Sequence, residues 1–150
     1  MKSSRSAIAS HARRSPARVA SLVLLPALLL LGVASCTPRA QASHEPYSDA
    51  RFAELQQSGA LVLIDVAASW CGTCVIQGEI LAEYQERNPQ APLHILQVDF
   101  DEQKQTVAAL RAPSQSTLIL FQGDQEIWRS VAEMRRDVIF SALDRGAAAL

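Results

Sequence analysis

Leu61-Val62-Leu63-Ile64-Asp65-Val66-Ala67-Ala68-Ser69-Trp70-Cys71-Gly72-Thr73-Cys74 is the stretch of this 150-residue chain on which its fold turns. Leu61 to Val66 is an apolar run broken by a single acid, the pattern of a strand covered on both faces. Ala67-Ala68-Ser69 is small enough for a tight connection. A helical pattern from Val75 to Glu86 opens on the cysteines themselves, with Ile76, Ile80, Leu81 and Tyr84 on one side and Glu79, Glu83 and Glu86 towards water. Two cysteines two residues apart, delivered to the first turn of a helix, suit thiol–disulfide exchange. The helix N-terminus carries partial positive charge and unpaired N–H groups, which favour a thiolate over a thiol. This places Cys71 at the mouth of the turn and Cys74 one helical turn inside it.

Working outward, Ser48 caps a helix from Asp49 to about Gln57, which Ser58-Gly59 ends. On the other side Asn88-Pro89 stops the cysteine helix. Leu93 to Phe100 reads as a strand, Asp101 to Leu110 as a short helix and Ala112 to Ser116 as a loop. Thr117–Phe121 and Glu126–Val131 are strands around the turn signal Gly123-Asp124. Arg135 to Ala149 closes as a helix with Val138, Ile139, Ala142 and Leu143 inward. Strands joined through helices are expected to run parallel, and the last two to form an antiparallel hairpin. The fold class is therefore α/β, a central mixed sheet flanked by helices, in a domain spanning 48–150. The cysteines fall at the carboxyl end of a central strand, the edge where open α/β sheets place their sites.

The front of the chain has a different character. Met1 to Arg18 carries five basic residues and no acid, and Val19 to Val33 is almost wholly apolar but short for a membrane span. Residues 1–36 read as an export signal. Val33-Ala34-Ser35-Cys36 resembles a bacterial lipobox, so Cys36 is expected to be lipidated; Ala40-Gln41-Ala42 offers an ordinary cleavage site instead. Residues 37–47 read as a polar tether. Beyond Cys36 nine basic residues face all fifteen acids, a net charge of −6 with no basic stripe, which argues against nucleic acid as a partner. With Cys36 consumed by lipid, Cys71 and Cys74 remain, and a C-x-x-C loop is too short to staple a domain. The pair is better explained by chemistry.

Asp65 to Cys74, with its preceding apolar strand and the downstream strand, hairpin and helix, resembles the active-site segment of the thioredoxin-like family. The resemblance runs from about Ser48 to Ala149. It implies a thiol–disulfide oxidoreductase of the protein-disulfide reductase kind, with Cys71 attacking a substrate disulfide and Cys74 resolving the mixed disulfide. Asp65 becomes the buried acid that exchanges protons with the resolving cysteine, and Gln97 replaces the lysine that usually neighbours it. Trp70, Gly72, Thr73, Ser116 and Thr117 would contact substrate or tune the pair. Thr73 stands where thioredoxin proper has Pro, and its hydroxyl is expected to bond the Cys71 sulfur. Ser116 replaces the family's cis-proline, so the loop facing Cys71 is expected to take a different path and to offer a hydroxyl to the thiolate.

The redox-active Cys71–Cys74 disulfide is expected to serve without any cofactor or resident metal. The partners implied are protein disulfides, a membrane-embedded thiol electron donor and, through the lipid anchor, the membrane on its periplasmic side; the domain is expected to act as a monomer. The alternative is a soft-metal module of the Cu(I) type on the same two cysteines. His94, within a strand, and His44, in the tether, are read as outside the site.

Overall fold

The computed structural model describes residues 44–150, so the export signal, Cys36 and most of the tether lie outside the described residues. In chain order the elements are β1 (Glu45–Pro46), α1 (Asp49–Gln57), β2 (Leu61–Ala67), α2 (Gly72–Arg87), β3 (Leu93–Asp99), α3 (Lys104–Ala109), β4 (Thr117–Gln122), β5 (Gln125–Val131) and α4 (Arg136–Ala147). The five strands form one sheet in the order β1-β3-β2-β4-β5. Among the described residues no helix is long and apolar enough to cross a membrane.

β2 is the centre of the sheet, and its sequence requires that position. Leu61, Val62, Leu63, Ile64 and Val66 are all fully buried, each worth about 1.5–3 kcal/mol of transfer free energy. Because side chains alternate along a strand, Val62, Ile64 and Val66 join Leu55, Leu96, Val98 and Ile119 in one core layer. Leu61 and Leu63 join Ile80, Leu81, Tyr84, Leu118, Ile139 and Leu143 in the layer beneath α2 and α4. The same alternation sends Asp65 towards α2, the helix that carries the cysteines.

The sheet is mixed, as the sequence implies, but its strand directions need one correction. β2 and β3 are parallel, whereas β4 runs antiparallel to β2 despite the helix between β3 and β4. α3 is only six residues long, about 9 Å of helix, and cannot carry the chain back along a seven-residue strand of about 23 Å. The chain therefore re-enters the sheet at the end it left. Thr117 pairs with Val66, so the residue before β4 arrives beside the cysteine turn. A second correction concerns the tether. Glu45–Pro46 pairs in parallel with β3, opposite Leu96 and Gln97, and Tyr47 donates its N–H to the Gln97 carbonyl at 2.8 Å. The sheet begins inside 37–47.

α4 packs on β2 and β4 with no space to spare. A Cβ at Gly146 would come within 2.7 Å of Leu61 Cδ1 and 3.1 Å of Leu120 Cδ2, both on fully buried side chains. Gly78, inside α2, has nothing within 4 Å of that position. Alanine gains about 0.8–1 kcal/mol over glycine in a helix interior, while overpacking a tight core costs about 1–3 kcal/mol. Gly78→Ala is thus expected to stabilise the domain by up to about 1 kcal/mol, and Gly146→Ala to destabilise it by about 1 kcal/mol net. Urea denaturation of both variants checks this; the same sign in both would contradict the packing described.

Candidate active site

The turn from β2 into α2 folds locally around Cys71. Its backbone is extended (φ −92°, ψ 107°) and it serves as the N-cap of α2: the Cys74 N–H donates to Cys71 Sγ at 3.2 Å. A sulfur thus takes the capping position usually held by a Ser or Asp oxygen. Cys71 N–H in turn donates to the Ala68 carbonyl at 3.1 Å. Both cysteines are free thiols, 5 % and 8 % exposed, packed with Ala68 in a small cluster of their own.

Ser116 closes the site from the β4 side. Its Oγ lies 3.1 Å from Cys71 Sγ and 3.2 Å from Cys74 Sγ. A hydroxyl has one proton and two lone pairs, so it can donate to a Cys71 thiolate while accepting from the Cys74 thiol. Ser116 is 2 % exposed and holds φ +60°, in the left-handed region. Its N–H donates to the Val66 carbonyl at 2.8 Å, and its own carbonyl accepts from Ala132 N–H at 2.9 Å. A proline ring fixes φ near −65° and has no N–H. The loop therefore does take a path that proline cannot follow.

The two thiols are driven apart. Burial opposes ionisation of Cys71, but hydrogen bonds from Cys74, from the Ser116 hydroxyl and from the backbone N–H groups of Cys74 and Thr73 outweigh it and hold Cys71 below the ordinary thiol value. Burial pushes Cys74 up, aided by the Cys71 sulfur and only partly offset by Ser116 and the Ala68 backbone. Thr73 acts here through its backbone; its hydroxyl makes none of the hydrogen bonds at the sulfur.

Asp65 is 1 % exposed and burial raises its pKa, against the smaller lowering effects of His44 and Gln97. Its Oδ2 accepts from Gln97 Nε2 at 3.3 Å and lies 3.6 Å from His44 Nδ1, while Oδ1 has no hydrogen-bond partner. Sequence reading assigns His44 to the tether and leaves Asp65 without a cationic neighbour; the structure sets His44 against it. His94 stays outside, 3.8 Å from Glu45.

An acid raised in the folded state is penalised above its unfolded value of about 3.9, increasingly until the pH passes its folded value and by a constant amount beyond. Below the unfolded value both states are protonated and the penalty vanishes. Asp65→Asn is accordingly expected to leave stability near pH 3 unchanged and to raise it at pH 8, by about 1.4 kcal/mol per unit of upward shift. Urea titrations at the two pH values measure this; an equal change at both would remove the burial argument.

The remaining expected residues adjoin Cys71 or Ser116 in the chain, and their own contacts lie elsewhere. Trp70 is 63 % exposed, yet its indole N–H is fixed by Asp101 Oδ2 at 2.7 Å. Gly72 is the exposed first residue of α2. Thr117 is buried, with its hydroxyl donated to the Ser114 carbonyl at 2.7 Å. Besides His44, a second residue escapes the sequence reading. Gln77 replaces the expected Ile76 on the inner face of α2: Gln77 is fully buried and Ile76 is 43 % exposed. Gln77 Nε2 donates to the Ser116 carbonyl at 3.3 Å and to the Glu133 carbonyl at 3.0 Å, tying both loops to the cysteine helix. The spacing 74, 77, 81, 84 along the buried stripe is the signal that marks it.

The family model for thioredoxin matches residues 44–145. The crystal structure of Trxlp from Edwardsiella tarda is similar at 42 % identity and TM-score 0.64, covering 67 % of this chain and 98 % of that one. A thioredoxin from Malassezia sympodialis (23 %, TM-score 0.62, 70 % and 91 % covered) and a mutant thioredoxin from Halobacterium salinarum (19 %, TM-score 0.60, 69 % and 88 %) share the fold. Among curated protein sequences none matches.

Proposed function

The chain belongs to the thioredoxin family, and on that premise we propose that it is a reductase of protein disulfides working outside the cytoplasmic membrane, with Cys71 attacking and Cys74 resolving. The observation that carries this reading is the asymmetry of the pair. Cys71 caps a helix, accepts hydrogen bonds and is held towards thiolate, whereas Cys74, one turn deeper, is held as thiol. A thiolate at Cys71 attacks a disulfide sulfur to give a mixed disulfide, and the second thiol then displaces the reduced substrate. Exposed apolar side chains at Trp70, Val75 and Ile76 on the same turn, together with Val131 and Met134 at and beyond the end of β5, suit a protein substrate.

The location rests on the basic and apolar leader and on Cys36 as a lipid attachment point. In an oxidising compartment a reductase must be recharged by a thiol donor embedded in the membrane. The direction rests on the Trp70-Cys71-Gly72 opening. Ser116 works against it, because a hydroxyl bonded to the thiolate stabilises the reduced form and raises the potential. The soft-metal alternative would rest on the two cysteines alone, since among the described residues there is no group of three or more His, Cys, Asp or Glu side chains that could hold an ion.

The deciding experiment is the reduction potential of the Cys71–Cys74 pair, measured against glutathione alongside insulin reduction. We expect a value somewhat above the roughly −270 mV of thioredoxin, with insulin reduced. A value near the roughly −120 mV of a strong periplasmic oxidant, with no insulin reduction, would replace this reading by that of an oxidase.

A further inference from the structure

The register of the shortest strand places an unexpected group at the buried acid. Asp65 pairs with Gln97 across β2 and β3, and Gln97 pairs with Pro46 across β3 and β1. Alternation along β1 puts His44 on the same sheet face as Pro46, Gln97 and Asp65. The side chains meet there: His44 Nδ1 is 3.6 Å from Asp65 Oδ2 and 3.4 Å from Gln97 Nε2, which itself bonds that carboxylate oxygen. The two partners differ in access to water. The Asp65 side chain is 1 % exposed and His44 20 %. A proton held by Asp65 alone has no direct route to solvent.

His44 does have one. It lines a half-open cleft of about 420 Å³, whose walls also include Ala67, Ala68, Gln97 and Cys74. Such a volume admits several waters. The buried resolving thiol and the imidazole therefore line one cleft wide enough for water, with Asp65 behind the imidazole. We propose that His44 is the proton-relay residue of the resolving step, exchanging the Cys74 proton with solvent across this cleft and sharing one proton with Asp65. The proposal rests on the thiol-exchange reading above and adds to it a residue that acts through the cleft and through Asp65.

In the mixed disulfide Cys71 Sγ is bonded to a substrate sulfur. The Cys74 thiol releases its proton to the His44–Asp65 pair, and its sulfur attacks Cys71 Sγ. The Cys71–Cys74 bond forms as the Cys71–substrate bond breaks. The electron pair leaves on the substrate thiolate, which takes a proton from water, and His44 returns the relayed proton to solvent. The chain's two thiols lose two electrons and the substrate disulfide gains them.

Among the described residues, other ionisable groups near His44 are already engaged or face elsewhere. Asp99, at the end of β3, lines the same cleft, but its Oδ1 accepts from the backbone N–H groups of Asp101 and Glu102. Glu45, next on β1, is held by Arg51 at 2.9 Å and lies 3.8 Å from His94. The loop before α3 contributes only the neutral side chain of Gln103 to the cleft wall. Among the described residues lining the cleft, Cys74 on α2 is the remaining titrating group.

The resolving step, counted separately from the attacking step, supplies the test. Single turnovers of the full-length chain in mild detergent, with insulin as the disulfide probe, are quenched and alkylated so that mixed-disulfide formation and resolution are counted separately from pH 5 to 9. His44→Gln is expected to leave formation within about twofold and to slow resolution at pH 7 by roughly ten- to a hundredfold, at or below the low end of what a positioned proton acceptor contributes. The pH dependence of resolution across that range should flatten. Added imidazole should restore resolution in His44→Ala, a rescue that a structural role would not give. Resolution in His44→Gln within twofold of the unsubstituted chain at every pH, or equal slowing of both steps without imidazole rescue, overturns the relay and leaves the function standing. Absence of any mixed disulfide both in the unsubstituted chain and in Cys74→Ser overturns both.

Discussion

Cys71→Ser is expected to remove disulfide reduction by at least about a thousandfold, the scale on which losing a nucleophile acts. Cys74→Ser is expected to stop turnover one step later, with the substrate held covalently. The difference follows from position. Cys71 Sγ is the capping atom of α2 and faces the Ser116 hydroxyl, so the charge of its thiolate is met by an N–H and an O–H. A serine hydroxyl in its place is not ionised near neutral pH and cannot open a disulfide. Cys74 is pushed the other way by burial and needs only to become nucleophilic once the mixed disulfide exists. Mass spectrometry after incubation with insulin separates the two cases: adduct with Cys74→Ser and none with Cys71→Ser. Adducts through Cys74 in the Cys71→Ser chain would reverse the assigned order.

The parts of this site that are legible in the sequence are those encoded by neighbours. The apolar run into Asp65 and the small residues before Trp70-Cys71-Gly72-Thr73-Cys74 specify strand, turn and helix locally, and each lies where its own residues put it. What escapes is set by pairing between distant segments. Glu45–Pro46 contains a proline and follows a polar stretch, so nothing local marks it as a strand; it becomes one because β3 offers Leu96 and Gln97 as an open edge. His44 is invisible as a site residue for the same reason. The direction of β4 depends on how far α3 can carry the chain, and the expectation of parallel strands overlooks its length. Gln77 is readable in principle, because a polar residue in the buried stripe Cys74, Leu81, Tyr84 needs a partner. Its partners are the Ser116 and Glu133 carbonyls, which no spacing rule brings together.

Ser116→Pro, which would install the residue the family usually carries before β4, is expected to destabilise the reduced domain by about 3 kcal/mol or more. Three losses combine. The backbone at Ser116 holds φ +60°, which the pyrrolidine ring forbids. The N–H donated to the buried Val66 carbonyl at 2.8 Å disappears, and leaving such an acceptor unpaired costs about 1–3 kcal/mol. Any move of the peptide towards a proline-compatible path also strains the bonds that the Ser116 carbonyl accepts from Ala132 and Gln77. Ser116→Gly separates backbone from hydroxyl. Glycine tolerates positive φ, so stability should change by no more than a few tenths of a kcal/mol to about 1 kcal/mol. The Cys71 thiol, having lost a hydrogen bond to its thiolate, should then titrate at higher pH. Urea unfolding of the reduced proteins and the pH dependence of alkylation by iodoacetamide measure the two effects. If Ser116→Pro proves as stable as the unsubstituted chain, the loop has two paths of nearly equal energy, and the left-handed serine is not what holds the hydroxyl between the sulfurs.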